Sequence, residues 1–417
     1  MPTTSRRTIV LLLSLFSLVG YVLRMNISVA APFMMAELHL DKIQMGQVFS
    51  AFMLGYALFQ VPWGVSGDRL GPGRTLTWAA VLWTATTLLT GLVPGWLVPA
   101  GTASLLILIA LRFLLGVGQA AAYPLAARAI VNWMPTTRRA TSFAALVVGM
   151  AIGSAFTPPL VSWAMTRFGW RVSFYVCALL ALGLAAAWHR SAGARLDAIG
   201  DEGPAVAAVA RAPWYAPLGD RHVAIVCASY FFNSYVLFVF VFWLYLYLVE
   251  QRGMTMLSSG VYTGLPFVLA IVFVPAAGYL CDLLAVRWSR TWGRRIVAMV
   301  ALLGSAAFLV AGVDVGSQTL AVAGLSLAVA FLLCTEGAYW SASMDLGGAS
   351  TGTVGGVMNM AGNFGGVVST SLVPVLIQHF GWPFAFRSAA ALAVVAAGLW
   401  IFVRLPPSGA ALATSHA

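Results

Sequence analysis

Twelve apolar runs follow one another along this chain, and each reaches the length of about 20 residues that a helix needs to cross a bilayer. The first six lie at roughly 8–35, 46–66, 75–93, 103–133, 139–165 and 170–188. The second six lie at roughly 222–249, 257–284, 295–313, 318–344, 352–378 and 383–404. Only 8% of the residues are charged, where a soluble chain carries about 25%. In hydrocarbon the backbone must satisfy its own hydrogen bonds, so such runs predict helices. The expected fold class is all-α integral membrane, with twelve transmembrane helices.

A net charge of +11 raises nucleic acid as a partner, but its distribution points elsewhere. Arg6, Arg7, Arg69, Arg74, Arg138, Arg139, Arg190, Arg287, Arg294 and Arg404 fall at the termini and in alternate loops. That asymmetry is the positive-inside pattern. It places both termini in the cytoplasm, with the lipid bilayer rather than nucleic acid as the partner. Arg6-Arg7, an apolar run and the small residues Val29-Ala30-Ala31 imitate a secretory signal. The run is too long for one and Arg24 interrupts it, so it is expected to stay as the first span of a cytoplasmic (inner) membrane protein. Cys177, Cys227, Cys281 and Cys334 stand singly in apolar runs, without metal or disulfide spacing, and read as core filling. No nucleophile–base or metal constellation is visible at depth, so neither an enzyme nor a cofactor is expected.

The two sets of six repeat each other. Gly64-Val65-Ser66-Gly67-Asp68 matches Gly278-Tyr279-Leu280-Cys281-Asp282 at an offset of 214. Thr166-Arg167-Phe168-Gly169-Trp170 matches Gln378-His379-Phe380-Gly381-Trp382 at an offset of 212. Two matches at nearly one offset indicate a duplicated six-helix unit. The expected organisation is a bundle at 1–188, a cytoplasmic linker at 189–221, a pseudo-symmetric second bundle at 222–404 and a cytoplasmic tail at 405–417. Parallel six-helix halves of this kind are an architecture of secondary transporters.

Within the first run the polar residues do not scatter. Ser14, Ser17, Tyr21, Arg24 and Ser28 recur at steps of 3 and 4, one face of a helix. An arginine at bilayer depth costs about 2.5–3.5 kcal/mol on the insertion scale. A chain keeps that charge where it faces a watery cavity or binds something. The acid well inside a span is Glu336, which shares a helical face with Trp340 and Ser343 and suits proton exchange; a structural partner for an arginine or a helix end is its other reading. Tyr56 with Gln60, Asn359 with Asn363, and Asn233 with Tyr235 are further polar pairs in spans 2, 11 and 7. Each suits a cavity wall as well as it suits helix packing.

Gly64-x-x-x-Asp68-Arg69-x-Gly71-x-x-Arg74 resembles the loop signature of the major facilitator superfamily. The resemblance implies a cytoplasmic latch, with gating roles for Asp68, Arg69 and Arg74 and, at the repeat position, Asp282. Arg24 through Pro32, Arg112 through Ala120 with Tyr123-Pro124, Phe242 through Leu248, and Gly337 through Asn363 are similar to its anion:cation symporter branch. That branch includes bacterial sugar-acid transporters and vesicular glutamate and sialic-acid carriers. It implies that Arg24 holds a substrate carboxylate; Tyr21, one turn earlier on the same stripe, Gln119, Tyr123 and Trp340 are by their own chemistry further candidate ligand contacts. The branch pattern also has an acid before the arginine and a glutamate in span 4, where this chain has Leu23 and Gln119. Both departures remove a titratable group, and Glu336 is the candidate to take over part of the proton coupling.

The expected function is uptake of a small organic anion, a sugar acid or another monocarboxylate, coupled to H+. Facilitated diffusion or exchange of organic anions, export of amphipathic compounds, and a transporter-shaped sensor are the competing readings. Export of cations calls for acids rather than Arg24 at the cavity's centre.

Overall fold

The computed structural model describes residues 3–70, 72–133, 139–193, 219–347 and 351–406. The expected linker lies largely, and the tail almost wholly, outside the described residues. In the first repeat the helices are α1 (Thr3–Leu38), α2 (Lys42–Leu70), α3 (Pro72–Leu92), α4 (Thr102–Gln119), α5 (Ala122–Trp133), α6 (Arg139–Phe168) and α7 (Trp170–Trp188). In the second they are α8 (Arg221–Glu250), α9 (Met256–Arg287), α10 (Arg290–Asp314), α11 (Gln318–Leu333), α12 (Glu336–Gly347) and α13 (Thr351–Leu399).

Among the described residues ten stretches are long and apolar enough to span a membrane. One of them, Val354–Phe402, is two spans. Its 49 residues would reach about 74 Å as one helix, against a hydrocarbon core of about 30 Å. Gly381, at φ 79°, separates the two. The twelfth span is α2, whose apolar run is diluted by Gln44, Gln47 and Gln60. Gly381 has a counterpart in Gly169, at φ 81°, which makes the same turn between α6 and α7. A left-handed conformation suits glycine because it lacks a Cβ. Each glycine is followed by a buried tryptophan, Trp170 or Trp382.

Spans 4 and 10 depart from the sequence expectation, because each is broken in the middle. Residues 120–121 separate α4 from α5, and residues 334–335 separate α11 from α12. The breaks lie 214 residues apart, the offset of the repeat. In the first, Pro124 has no N–H to give the Ala120 carbonyl, and its ring crowds that carbonyl. In the second, the Cys334 thiol donates to the Ala330 carbonyl at 3.1 Å and the Thr335 hydroxyl to that of Leu332 at 2.7 Å. Such side chains compete with the helical ladder.

The chain divides into two compact units, Met1–Ala207 with Phe242–Gly264, and Ala208–Val241 with Leu265–Ala417. In the first unit α1 packs on α6 and α7, and α2 on α4. The end of α8 belongs here: Phe242 stacks on Phe49 at 4.9 Å, and Lys42 pairs with Glu250 at 2.8 Å. In the second unit α10 packs on α11 and α13, and α12 on α13. Without a hydrophobic force between helices in lipid, close backbone approach carries much of the packing. The α2–α4 contact shows it on both sides. A Cβ on Gly55 would lie 2.3 Å from the Phe113 carbonyl oxygen, and one on Gly116 would lie 2.1 Å from that of Phe52.

Gly116→Leu forces α2 and α4 apart and is expected to destabilise the first unit by about 1–3 kcal/mol. The thermal midpoint of the detergent-purified protein should fall, as read by fluorescence-detected size exclusion, while Gly356→Leu, where a Cβ meets open space, should leave it near the parent value.

Candidate substrate site

The polar stripe of α1 is buried, not turned to lipid. Arg24 is 6% exposed, and its Nε has no hydrogen-bond partner. Among the described residues it forms no ion pair. Three rings surround the guanidinium instead: Tyr21 and Tyr56, each 4.7 Å from ring centre to Cζ, and Phe52 at 5.1 Å. Phe52 and Tyr56 stack one turn apart on α2. A desolvated cation over an aromatic face gains up to about 2 kcal/mol, so the rings offset much of the burial cost. They do not neutralise the charge. What remains is a buried positive centre with no acidic side chain paired to it among the described residues.

A small cavity beside it brings together Ser17, Tyr21, Arg24, Tyr56, Gln119 and Tyr123, five of which the sequence had singled out as ligand contacts. Its free volume is about 10 Å³, room for about one water. The Ser17 and Tyr123 hydroxyls lie 3.0 Å apart. The Gln119 amide donates to the Gly20 carbonyl at 3.0 Å, so it both lines the cavity and ties α4 to α1. Gln60, a turn beyond Tyr56, does not line it. Arg112 is also buried and lies near the Leu23 carbonyl, with Nη1 at 3.5 Å, and beneath the Phe174 ring. It is not among the residues that line the cavity, and it packs between α1, α4 and α7.

A second polar cluster lies in the other unit, at the break between α11 and α12. Glu336 opens α12 and accepts from the Tyr230 hydroxyl at 3.2 Å and the Trp340 indole at 3.1 Å. Among the described residues it pairs with no arginine or lysine. Asn233 is fully buried, and its side-chain oxygen lies 3.1 Å from the Thr335 hydroxyl, whose one proton is shared between it and the Leu332 carbonyl; this contact pins α8 to the break. Tyr235 is buried in the same helix. The Asn363 amide donates back to the Asn359 carbonyl at 2.9 Å, a bond within α13. Tyr230 and Thr335 were missed from sequence because a tyrosine and a threonine in an apolar run resemble ordinary packing residues. Their partners lie more than a hundred residues away.

The gating candidates lie at helix ends. Asp68 and Arg69 fall in the last turn of α2, their side chains outside what the structure describes, and Arg74 is exposed in the first turn of α3. Asp282 pairs with Arg294 at 3.4 Å, and Arg294 also holds Asp345 at 3.1 Å. This network ties the ends of α9, α10 and α12.

A duplicated twelve-helix membrane fold with a buried cation at a break in one of its spans is an architecture of membrane transporters. The chain belongs to the Major Facilitator Superfamily, whose family model matches residues 13–370. The "Hexuronate transporter" of Bacillus subtilis is 31% identical, over 93% of this chain and 92% of that one. The "Probable sulfoacetate transporter" of Cupriavidus necator is 32% identical, over 96% and 94%. Among solved structures, a bacterial homologue of the lysosomal transporter Spinster, inward-facing and unoccupied, superposes with a TM-score of 0.82 at 16% identity. It covers 97% of this chain and 98% of its own, and establishes the fold alone.

Thr335→Val keeps the side-chain shape but leaves the buried Asn233 oxygen unpaired, which costs about 1–3 kcal/mol. The thermal midpoint should drop, and Asn233→Leu in the same chain should recover part of the loss; an unchanged midpoint in Thr335→Val would remove the pin from the account.

Proposed function

We propose that this protein takes up a small organic anion, a sugar acid or another monocarboxylate, across the cytoplasmic membrane by alternating access, with both termini cytoplasmic. The observation that carries this reading is Arg24, a buried guanidinium ringed by aromatics and paired with no carboxylate among the described residues. A planar guanidinium takes a carboxylate through two parallel hydrogen bonds, and a low dielectric strengthens the pair. Relatives named for hexuronate, sulfoacetate and D-galactonate support an anionic substrate.

In this reading the substrate carboxylate supplies the counter-ion that Arg24 lacks, and Tyr21, Tyr56, Gln119 and Tyr123 give hydroxyl and amide contacts to the rest. Trp340, Asn359 and Asn363 are the candidate ligand contacts of the second repeat. Asp68, Arg69, Arg74 and Asp282 latch the helix ends. Glu336 exchanges the coupling proton: a carboxylate held only by neutral donors can lose its charge without breaking an ion pair. A second reading is also favoured by a specific observation. Leu23 and Gln119 stand where the branch has acids, which supports facilitated diffusion or anion exchange.

Two measurements test this. In a thermal-shift screen against organic acids, a sugar acid or short monocarboxylate should raise the midpoint of the parent protein, and Arg24→Ala should abolish the shift. Stabilisation by neutral or cationic compounds alone would sink the anion reading. In proteoliposomes, Glu336→Gln should uncouple uptake from an imposed pH gradient while leaving anion counterflow; gradient-driven uptake equal to the parent's would assign coupling elsewhere.

A further inference from the structure

Several arginines at the helix ends of the second repeat are paired with acids. Arg290 and Arg294 hold Asp345, and Arg387 holds Asp314. Two neighbours are not. Arg295, in the second turn of α10, donates from Nη2 to the Val403 carbonyl at 2.6 Å, and the exposed Arg404 is the next residue. Neither forms an ion pair among the described residues, and the chain beyond Arg404 carries no acidic side chain. Their like charges are near enough to repel. The Arg295 Nε is buried without a hydrogen-bond partner. The backbone holds the two together all the same: the Leu405 N–H donates to the Thr291 hydroxyl at 3.0 Å, at the start of α10. One side of the pair is apolar. Trp292 lies under the Arg295 guanidinium, 4.9 Å from ring centre to Cζ, and Trp292, Ile401 and Phe402 are all exposed. A tryptophan at the end of a span marks the membrane interface, and arginines there extend to the level of the lipid phosphates.

We propose that Arg295 and Arg404 form a headgroup seat for an anionic phospholipid, whose phosphate lies between the two guanidinium groups and whose acyl chains run along Trp292, Ile401 and Phe402. Two guanidinium groups can share one phosphate through charge-assisted hydrogen bonds, which also removes their mutual repulsion. A zwitterionic headgroup brings a cation of its own to a place that is already positive, so a net negative headgroup is the better fit. The bound lipid ties the start of α10 to the end of the last span, whatever solute is carried.

Native mass spectrometry of the detergent-purified full chain, with phosphatidylglycerol or phosphatidylcholine added, tests this. Two basic groups at the interface predict that the parent retains phosphatidylglycerol about tenfold more tightly. Arg295→Gln with Arg404→Gln should abolish that preference. Arg404→Gln alone should lose most of it, and it decides the matter if the double variant does not fold, because the Arg404 side chain makes no hydrogen bond among the described residues. Arg6→Gln with Arg7→Gln removes the same charge from the first repeat and should leave the preference as it is. A parent without the preference, an Arg404→Gln protein that keeps it, or an Arg6 and Arg7 variant that loses as much overturns the seat. So does inorganic phosphate that displaces the lipid completely at millimolar concentration, which would assign the two arginines to free phosphate.

Discussion

In the hydrocarbon of a bilayer, a backbone N–H or C=O without a partner costs several kcal/mol, so every departure from a continuous helix at that depth needs local compensation. The structure departs from it in spans 4 and 10, at matching places. Pro124 makes one break, and the back-bonding Cys334 and Thr335 make the other. Both the Arg24 cavity and the Glu336 cluster abut these breaks. Broken spans in corresponding positions of two repeats are where transporters place their ligand chemistry, because irregular backbone is tolerated where it borders a cavity or is buried in protein.

The two repeats use the same break for opposite charges. In the first, aromatic rings hold a guanidinium whose charge they do not cancel. In the second, a tyrosine and a tryptophan hold a carboxylate in the same manner, by neutral donors. Neither charge has a permanent salt-bridge partner among the described residues. A buried salt bridge is strongly destabilised by loss of one partner. A transporter that fixed Arg24 to an acid would have to break that pair in each cycle to admit an anion. Leu23, in place of the branch's acid, fits this economy of charge. Only its backbone carbonyl is left for Arg112.

Much of the fold was legible from sequence because lipid imposes a simple rule. Apolar runs of sufficient length are helices, and their ends are marked by glycine and charge. The Gly169-Trp170 and Gly381-Trp382 pairs, matched as letters, turn out to be the same left-handed turn. The polar stripe from Ser14 to Ser28 was legible because a helix repeats every 3.6 residues. Tyr21, Arg24, Tyr56, Gln119 and Tyr123 converge because four separate helices, α1, α2, α4 and α5, bring them together. Of that convergence the stripe on α1 was the part that periodicity alone could reach. Gln60, one turn from Tyr56, had an equal claim on paper and lies off the cavity.

The sequence by itself determined that this chain crosses a membrane twelve times, that it is a duplicated carrier, and that it keeps a charge where charge is costly. Those conclusions follow from local quantities: run length, helical period and an internal offset. The tertiary structure decided which aromatics surround Arg24, that the guanidinium pairs with no acid among the described residues, that Asn233 is tied to Thr335, and that spans 4 and 10 restart at Ala122 and Glu336. These depend on contacts across as many as a hundred residues or more, whose geometry is set by how helices pack and not by the residues flanking each one.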